Sequence, residues 1–356
     1  MITKLLRSVR EYKKPTILTF VFIVGEVIIE CFIPFITASL VNQMKMGMEM
    51  KNLLLTGLLL VVMALVSLAC GGLAGYTSAK ASAGFAKNLR NDVFHKIQGF
   101  SFENIDKFSS SSLVTRLTTD INNVQMSYMM CIRIAIRSPL MLIFSVIMAY
   151  RMGGALAGTF VVIIPVLAIG LMLIARFAMP AFRRVFKKYD KLNESIEENV
   201  RAMRVVKGFS REEFEKQKFD AASSEICKDF TRAERMVALN TPLMQICLYF
   251  NMIFVLIVGS MLIIQSGGEI IKIGHISAML TYGMQILMQL MMLSMIYVMI
   301  TMSLESMKRI CEVLNEESSL KNPENPIYDV KDGSIKFNNV NFKYNKDAKR
   351  NALEGI

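Results

Sequence analysis

The sequence predicts an all-α polytopic membrane protein of six transmembrane helices with long cytoplasmic helical extensions, followed by a β fragment at the C-terminus. Three observations predict it. Of the 356 residues, 53% are hydrophobic and the mean hydropathy is +0.42, too apolar for a chain whose surface must stay wet. Six apolar runs reach the length of about 20 residues that a helix needs to cross a bilayer. The formal charge of +12 is packed into the segments between those runs, where anionic headgroups or a partner can meet it. A charge so distributed argues against a nucleic-acid partner.

The N-terminal stretch, residues 1–16, carries Lys4, Arg7, Arg10, Lys13 and Lys14, and Leu5 to Tyr12 is basic and amphipathic enough to lie in the membrane interface as an elbow helix. No small-residue cleavage site follows, so the first apolar run reads as an uncleaved span. The spans fall near 17–39, 53–77, 128–150, 154–177, 242–265 and 275–300. The connections after the first, third and fifth are short and poor in cations, whereas those after the second and fourth are long and basic. By the positive-inside rule the long ones are cytoplasmic, and both termini lie with them.

The two long excursions, about 78–127 and 178–241, lack the Gly and Pro punctuation of loops. In the second, Val185, Tyr189, Leu192, Ile196, Val200, Met203 and Val206 recur every three or four residues, which is a helix running on into the cytosol. Gly208 permits a break there, and Ser210 with Glu213 matches a capping box for a short new helix. The first excursion has the same plan, turning around Phe100 to Phe108. Residues 315–333 are polar and hold Pro323, Pro326 and Gly333, a linker. From Ser334 to Ile356 the alternation of Ile335 and Phe337, then Val340, Phe342 and Tyr344, predicts strands that open a second, incomplete domain.

Within the spans the candidates for function are polar. Glu26 and Glu30 lie one turn apart in the first span, where an ionisable group is expensive unless it faces water or a partner. They attract a cationic substrate or carry protons, or else they pair with Arg133, Arg137 or Asn251. On the last span Met284, Met288, Met291, Met292, Met295, Met299 and Met302 share one face, while Tyr282, Gln285, Gln289, Ser294, Tyr297 and Thr301 share another. The Gln and Tyr face is expected to line a cavity or a helix contact and the Met face to meet neighbours or lipid; the competing view makes the thioethers an adaptable drug surface. The six cysteines form no CxxC pair and the two histidines, His95 and His275, lie in unrelated segments, so neither a disulfide frame nor a metal site is expected.

This order of elements resembles the exporter-type ABC transporters. The run Glu198, Asn199, Val200, Arg201, Ala202, Met203, Arg204, Val205, Val206, Lys207, Gly208, Phe209, Ser210, Arg211 and Glu212 is similar to the family's Glu-Asn, small residue, Val-Lys, aromatic, Arg-Glu string. Phe108 and the run Ser112 to Asp120 resemble the segment after the first coupling helix, and Phe337 to Tyr344 with Ala352 to Ile356 resembles the opening of the nucleotide-binding domain. The resemblance implies the ABC exporter transmembrane fold over 17–314 and, over 334–356, the start of a nucleotide-binding domain in which Tyr344 stacks on adenine. It implies coupling by Phe209, Ser210, Arg211 and Glu212 and by Phe102 and Asp106, and ATP with Mg2+ in the full-length protein. No phosphate loop occurs in the sequence, so this polypeptide by itself is expected neither to hold nor to hydrolyse ATP and has no catalytic residue.

The function implied is a membrane-spanning half-transporter in the plasma (inner) membrane. Paired with a copy or a relative, it exports amphipathic drug-like or lipid-like small molecules by alternating access. A peptide exporter and a non-transporting membrane scaffold or receptor are the alternatives.

Overall fold

The computed structural model describes residues 1–45, 47, 49–269, 271–318, 325–326, 332–343 and 350–356. Among them the α-helices are α1 Ile2–Leu6, α2 Lys13–Lys45, α3 Met50–Gln98, α4 Phe102–Phe108, α5 Ser110–Thr115, α6 Ile121–Gly153, α7 Gly158–Arg201, α8 Met203–Gly208, α9 Glu212–Ala238, α10 Asn240–Ser266 and α11 Ile273–Asn315. A 3-10 turn, Arg7–Tyr12, joins α1 to α2, and a π-helical turn, Arg116–Asp120, joins α5 to α6.

Six helical stretches, Ile2–Lys45, Met50–Gln98, Ser110–Gly153, Gly158–Arg201, Glu212–Ser266 and Ile273–Asn315, are long and apolar enough to cross a membrane. The shortest has 43 residues. At 1.5 Å per residue that is about 65 Å, twice the hydrocarbon thickness, so each stretch continues well outside the bilayer. Bilayer burial explains why so many apolar side chains stay exposed in the isolated chain: Leu54, Leu58, Val61, Leu65 and Leu68 of α3 are all open.

The β fragment expected over 334–356 does not form among the described residues. Among the described residues there is no strand, only one isolated antiparallel bridge between Phe342 and Leu353. Ile335 and Phe337, whose alternation suggested a strand, are 81% and 61% exposed, and Asn339 turns the backbone to φ +55°. Alternation specifies a strand only where a neighbouring ladder and an apolar layer receive it, and a lone pair of extended segments is marginal in water.

The chain divides into two compact units. The first comprises Met1–Leu18, Tyr76–Ile132 and Met299–Ile356. Its core joins Leu5 and Val9 of the N-terminal segment to Phe85, Leu89 and Val93 of α3, Ile121 and Val124 of α6, and Ile310 and Val313 of α11. Tyr12 packs its ring where Gly84 leaves room; a Cβ there would lie 2.2 Å from the ring. Asp92 anchors the N-terminal segment, accepting from Ser8 Oγ at 2.6 Å and from Arg10 at 2.6 Å. Arg10 itself is held at φ 41°, ψ −115°, an uncommon region for a residue with a side chain.

The second unit comprises Thr19–Gly75 and Arg133–Val298. One core gathers Phe160, Leu167 and Leu171 of α7, Val255 of α10, and Tyr282, Ile286 and Leu287 of α11. A smaller one gathers Ile23, Val27 and Cys31 of α2, Ala74 of α3 and Met141 of α6. Helices here approach closely through glycine. A Cβ on Gly274 would lie 2.0 Å from the Ala38 carbonyl oxygen, and one on Gly283 would lie 2.1 Å from Asn251 Nδ2. In lipid, where apolar burial between helices gains little, such close backbone packing is a main source of association.

Candidate functional site

A polar cluster forms in the second unit where α2, α6 and α11 meet. Glu26 and Glu30 stand one turn apart on α2 and share the guanidinium of Arg137 on α6, at 3.3 Å and 2.6 Å respectively. Of the partners the sequence offered, Arg137 is therefore the one the carboxylates meet. Arg133 lies a turn away on α6, beside Gly75 of α3, and makes no ion pair among the described residues. Asn251 is buried beside Gly283 instead, with no hydrogen bond to its Oδ1. Gly71 lets Glu26 close on α3, since a Cβ there would lie 3.1 Å from the carboxylate oxygen. Two carboxylates on one guanidinium leave a formal charge of −1 at a place where unbalanced charge is costly.

The next layer is built around a proline. Pro34 in α2 supplies no N–H, so the ladder of backbone bonds is interrupted beside Glu30 and Cys31. Tyr282, fully buried on α11, donates its hydroxyl to the Cys31 carbonyl at 2.7 Å. Ser145 of α6 donates to Gln285 Oε1 at 3.2 Å, and its oxygen lies 3.9 Å from Cys31 Sγ. Thus Glu26, Glu30, Tyr282 and Gln285 come together in one unit. Gln289 is buried farther along α11, whereas Tyr297 is 60% exposed and does not join them. Met284, Met288, Met291, Met292 and Met295 line the open face of the helix.

The tip of the second excursion is exposed. Phe209 follows α8 with 76% of its surface free. The chain reverses through Ser210 at φ 49°, not through Gly208, and Arg211 N–H bonds to the Val206 carbonyl at 3.0 Å. No side chain caps α9, so the expected capping box of Ser210 and Glu213 does not form; Arg211 occupies the cap position and stacks over Phe214 at 5.6 Å. Glu212, Glu213 and Glu215 complement the positive end of α9. Ser195, Asn199, Val200, Met203, Glu215 and Phe219 line a groove of about 670 Å³ beneath the tip, crossed by Asn199 Nδ2 donating to Glu215 at 2.8 Å.

The first excursion turns through α4, begun by a capping box in which Ser101 and Asn104 bond reciprocally. Phe102 is 80% exposed and Asp106 is open beside it. Tyr344 lies outside the described residues. Among the described residues no group of His, Cys, Asp and Glu side chains is placed to hold a metal ion.

Sequence reasoning passed over Pro34 within α2 and the pairings of Ser145, Arg116, Asp120, Arg309, Glu312 and Glu316 with partners far along the chain. Ionisable residues placed just beyond the spans were the available signal, yet spacing could not pair them.

The family profile described as the ABC transporter transmembrane region matches residues 16–303. The ABC transporter ATP-binding protein YfiB of Bacillus subtilis is 27% identical over 353 residues, covering 99% of this chain and 61% of the relative. The ABC transporter ATP-binding protein Rv1273c of Mycobacterium tuberculosis is 26% identical over 347 residues, covering 97% and 59%. YknU, another such protein of Bacillus subtilis, is 25% identical over 266 residues, covering 74% and 45%. The chain thus spans about three-fifths of the length of the first two relatives.

Proposed function

The chain belongs to the ABC transporter transmembrane region family, and on that footing we propose that it is the membrane-spanning part of an ATP-driven exporter of amphipathic drug-like or lipid-like molecules. It is a multi-pass membrane protein of a transporter family. The observation that carries the reading further is the polar cluster of Glu26, Glu30 and Arg137 inside long, predominantly apolar helical stretches. A site for an amphiphile needs apolar walls with a few fixed polar groups, and intramembrane charge is retained where it serves a pathway.

In this reading residues 17–314 form the transmembrane domain behind the elbow of residues 1–16, and 315–333 lead to an ATP-binding portion that begins at about residue 334. ATP and Mg2+ act there in the whole protein. A second subunit, copy or relative, closes the cavity, which opens alternately to either side of the plasma membrane with both termini in the cytoplasm. Phe209, Ser210, Arg211 and Glu212 in one excursion and Phe102 and Asp106 in the other receive the motion of the ATP-binding portions, because exposed aromatics on rigid helical hairpins are natural knobs for a partner's groove.

The test uses the full-length protein in proteoliposomes, with a lipophilic fluorescent cation as cargo. ATP-dependent uptake that falls with Phe209→Ala supports the reading. Movement of a peptide but not of the dye would reassign the cargo, and movement of neither would leave a membrane scaffold.

A further inference from the structure

Arg309, Glu312 and Glu316 lie within an arc of about 60° at 100° per residue, on the last turns of α11 and just beyond its end. Each meets an opposite charge from the first excursion. Arg309 clasps Asp120 with both arms of its guanidinium, Nη2 to Oδ1 at 2.5 Å and Nε to Oδ2 at 2.8 Å. Glu312 pairs with Arg116 at 3.0 Å, and Glu316 with Lys107 at 2.9 Å. Asp120 is fully buried and Arg116 nearly so. Such ions are tolerated only when paired, which makes these two rungs more demanding than surface bridges.

Further contacts tie the rungs to α4. Arg116 donates to the Arg309 carbonyl at 2.5 Å and lies over the Phe108 ring at 4.9 Å, and Phe108 stacks on Phe100 at 5.8 Å. Asn104 donates to Glu316 Oε1 at 2.9 Å and to the Glu317 carbonyl at 3.1 Å. The hold therefore reaches past Asn315, where α11 ends, to the chain that leaves it. The π-helical turn Arg116–Asp120 spans two of the rungs, an irregularity of a kind that recurs at functional sites.

The order of charges is informative. Along the excursion it runs acid, base, base at 120, 116 and 107; along α11 it runs base, acid, acid at 309, 312 and 316. A slip of one turn in one direction sets Glu312 against Asp120, and a slip in the other sets Arg309 against Arg116. Each slip creates a like-charge meeting and strands another ion, so the pattern admits one register and rejects its neighbours.

We propose that this ladder is a register lock that makes α4 and the chain leaving α11 a single moving body, so that a displacement at Phe102 is delivered to the segment after Asn315 without slack. What the lock transmits rests on the reading of Phe102 and Asp106 as coupling residues; the lock itself does not.

The experiment places spin labels at Phe102→Cys and Glu317→Cys in the full chain freed of its native cysteines, and reads the distance distribution. Lys107→Glu, Glu316→Lys and their double swap test the exposed rung, where reversal does not threaten folding. Asp120→Arg, Arg309→Asp and their swap test the buried one. Each single reversal is expected to cut the docked population, roughly threefold at the exposed rung and roughly tenfold at the buried one, with the swaps restoring it. Single reversals at the exposed rung that leave the distribution unchanged, or swaps that fail to restore it, would overturn the lock. Dye export by the same ladder variants, made in the full-length protein with Phe102 and Glu317 intact, separates the two readings: swap behaviour without export removes the exporter and keeps the lock, while export without swap behaviour removes the lock alone.

Discussion

Tyr282 gives its hydroxyl hydrogen to the main-chain carbonyl of Cys31, 251 positions away in sequence and 2.7 Å away in space. The bond joins α11 to α2 at the level where Pro34 breaks the backbone ladder. Both groups are out of contact with solvent, so the hydroxyl satisfies an acceptor beside a point where the helix has lost one of its own donors.

Tyr282→Phe keeps the ring and its packing and removes only that donor. The expected loss is about 1 kcal/mol of stability, read as a lower unfolding temperature in detergent. An unchanged midpoint would show that the carbonyl is satisfied from within α2.

Arg137→Met removes the one cation shared by Glu26 and Glu30. Two carboxylates a turn apart then stand uncompensated inside the bundle, at a cost of about 3–5 kcal/mol. Adding Glu26→Gln and Glu30→Gln to the same protein should regain most of it, since an uncharged cluster needs no counter-ion. Thermal unfolding of the single and triple variants checks this, and a triple variant no better than the single would contradict it.

Gly274→Ala and Gly57→Ala are the same substitution with opposite expectations. At Gly274 the new Cβ meets a backbone carbonyl at 2.0 Å that cannot swing aside, whereas at Gly57 nothing lies within 4 Å. The first should cost about 1–3 kcal/mol as α2 and α11 are forced apart. The second should gain about 0.5–1 kcal/mol by stiffening the unfolded chain and the helix. Comparing the two midpoints controls for the effect of the residue type itself.

Glu316 carries a pH dependence. The hydrogen bond and charge of Lys107, with help from the Asn104 amide, hold its carboxyl below the usual carboxylate range. A depressed acid stabilises the docked form at all pH values above its unfolded value of about 4.3 and loses that contribution as pH falls through its folded value. Protease protection of the chain after Asn315 should therefore be flat from neutral pH down to about pH 5 and decline below it. In Lys107→Gln, where the main group holding the carboxyl down is gone, the decline should become shallower, because its onset is set by the undocked carboxyl and only its depth by Lys107.

The topology makes the starkest prediction. Cysteine at Lys45, in the short connection after the first span, should react with an impermeant reagent added outside intact cells. Cysteine at Lys207 should react only after the membrane is opened. Labelling of both from the same side would remove the six-span reading together with the function built on it.

How much was legible in the sequence follows from how far each feature depends on distant residues. The number and rough position of the spans could be read directly, because a bilayer responds to the composition of about twenty consecutive residues and to the cations that flank them. The long helical excursions were legible for a similar reason, since Val185 to Val206 repeat an apolar residue each turn. Glu26 and Glu30 stood out because charge in an apolar run is conspicuous wherever it ends up.

The rest waited for tertiary structure. Tyr282 and Tyr297 share a face on a helical wheel, yet one is sealed against Cys31 and the other is open, because only the course of neighbouring helices decides which turn is covered. Ser210 rather than Gly208 takes the positive φ, since the reversal must satisfy the Val206 carbonyl and present Arg211 to Phe214. The alternation from Ile335 to Phe337 yields no strand because a strand needs partners. Local composition settled what the chain is dissolved in and how often it crosses; the pairing of Arg137 with two acids, and of Asp120 with Arg309, was settled by long-range packing, because a charge finds its partner through space and not along the chain.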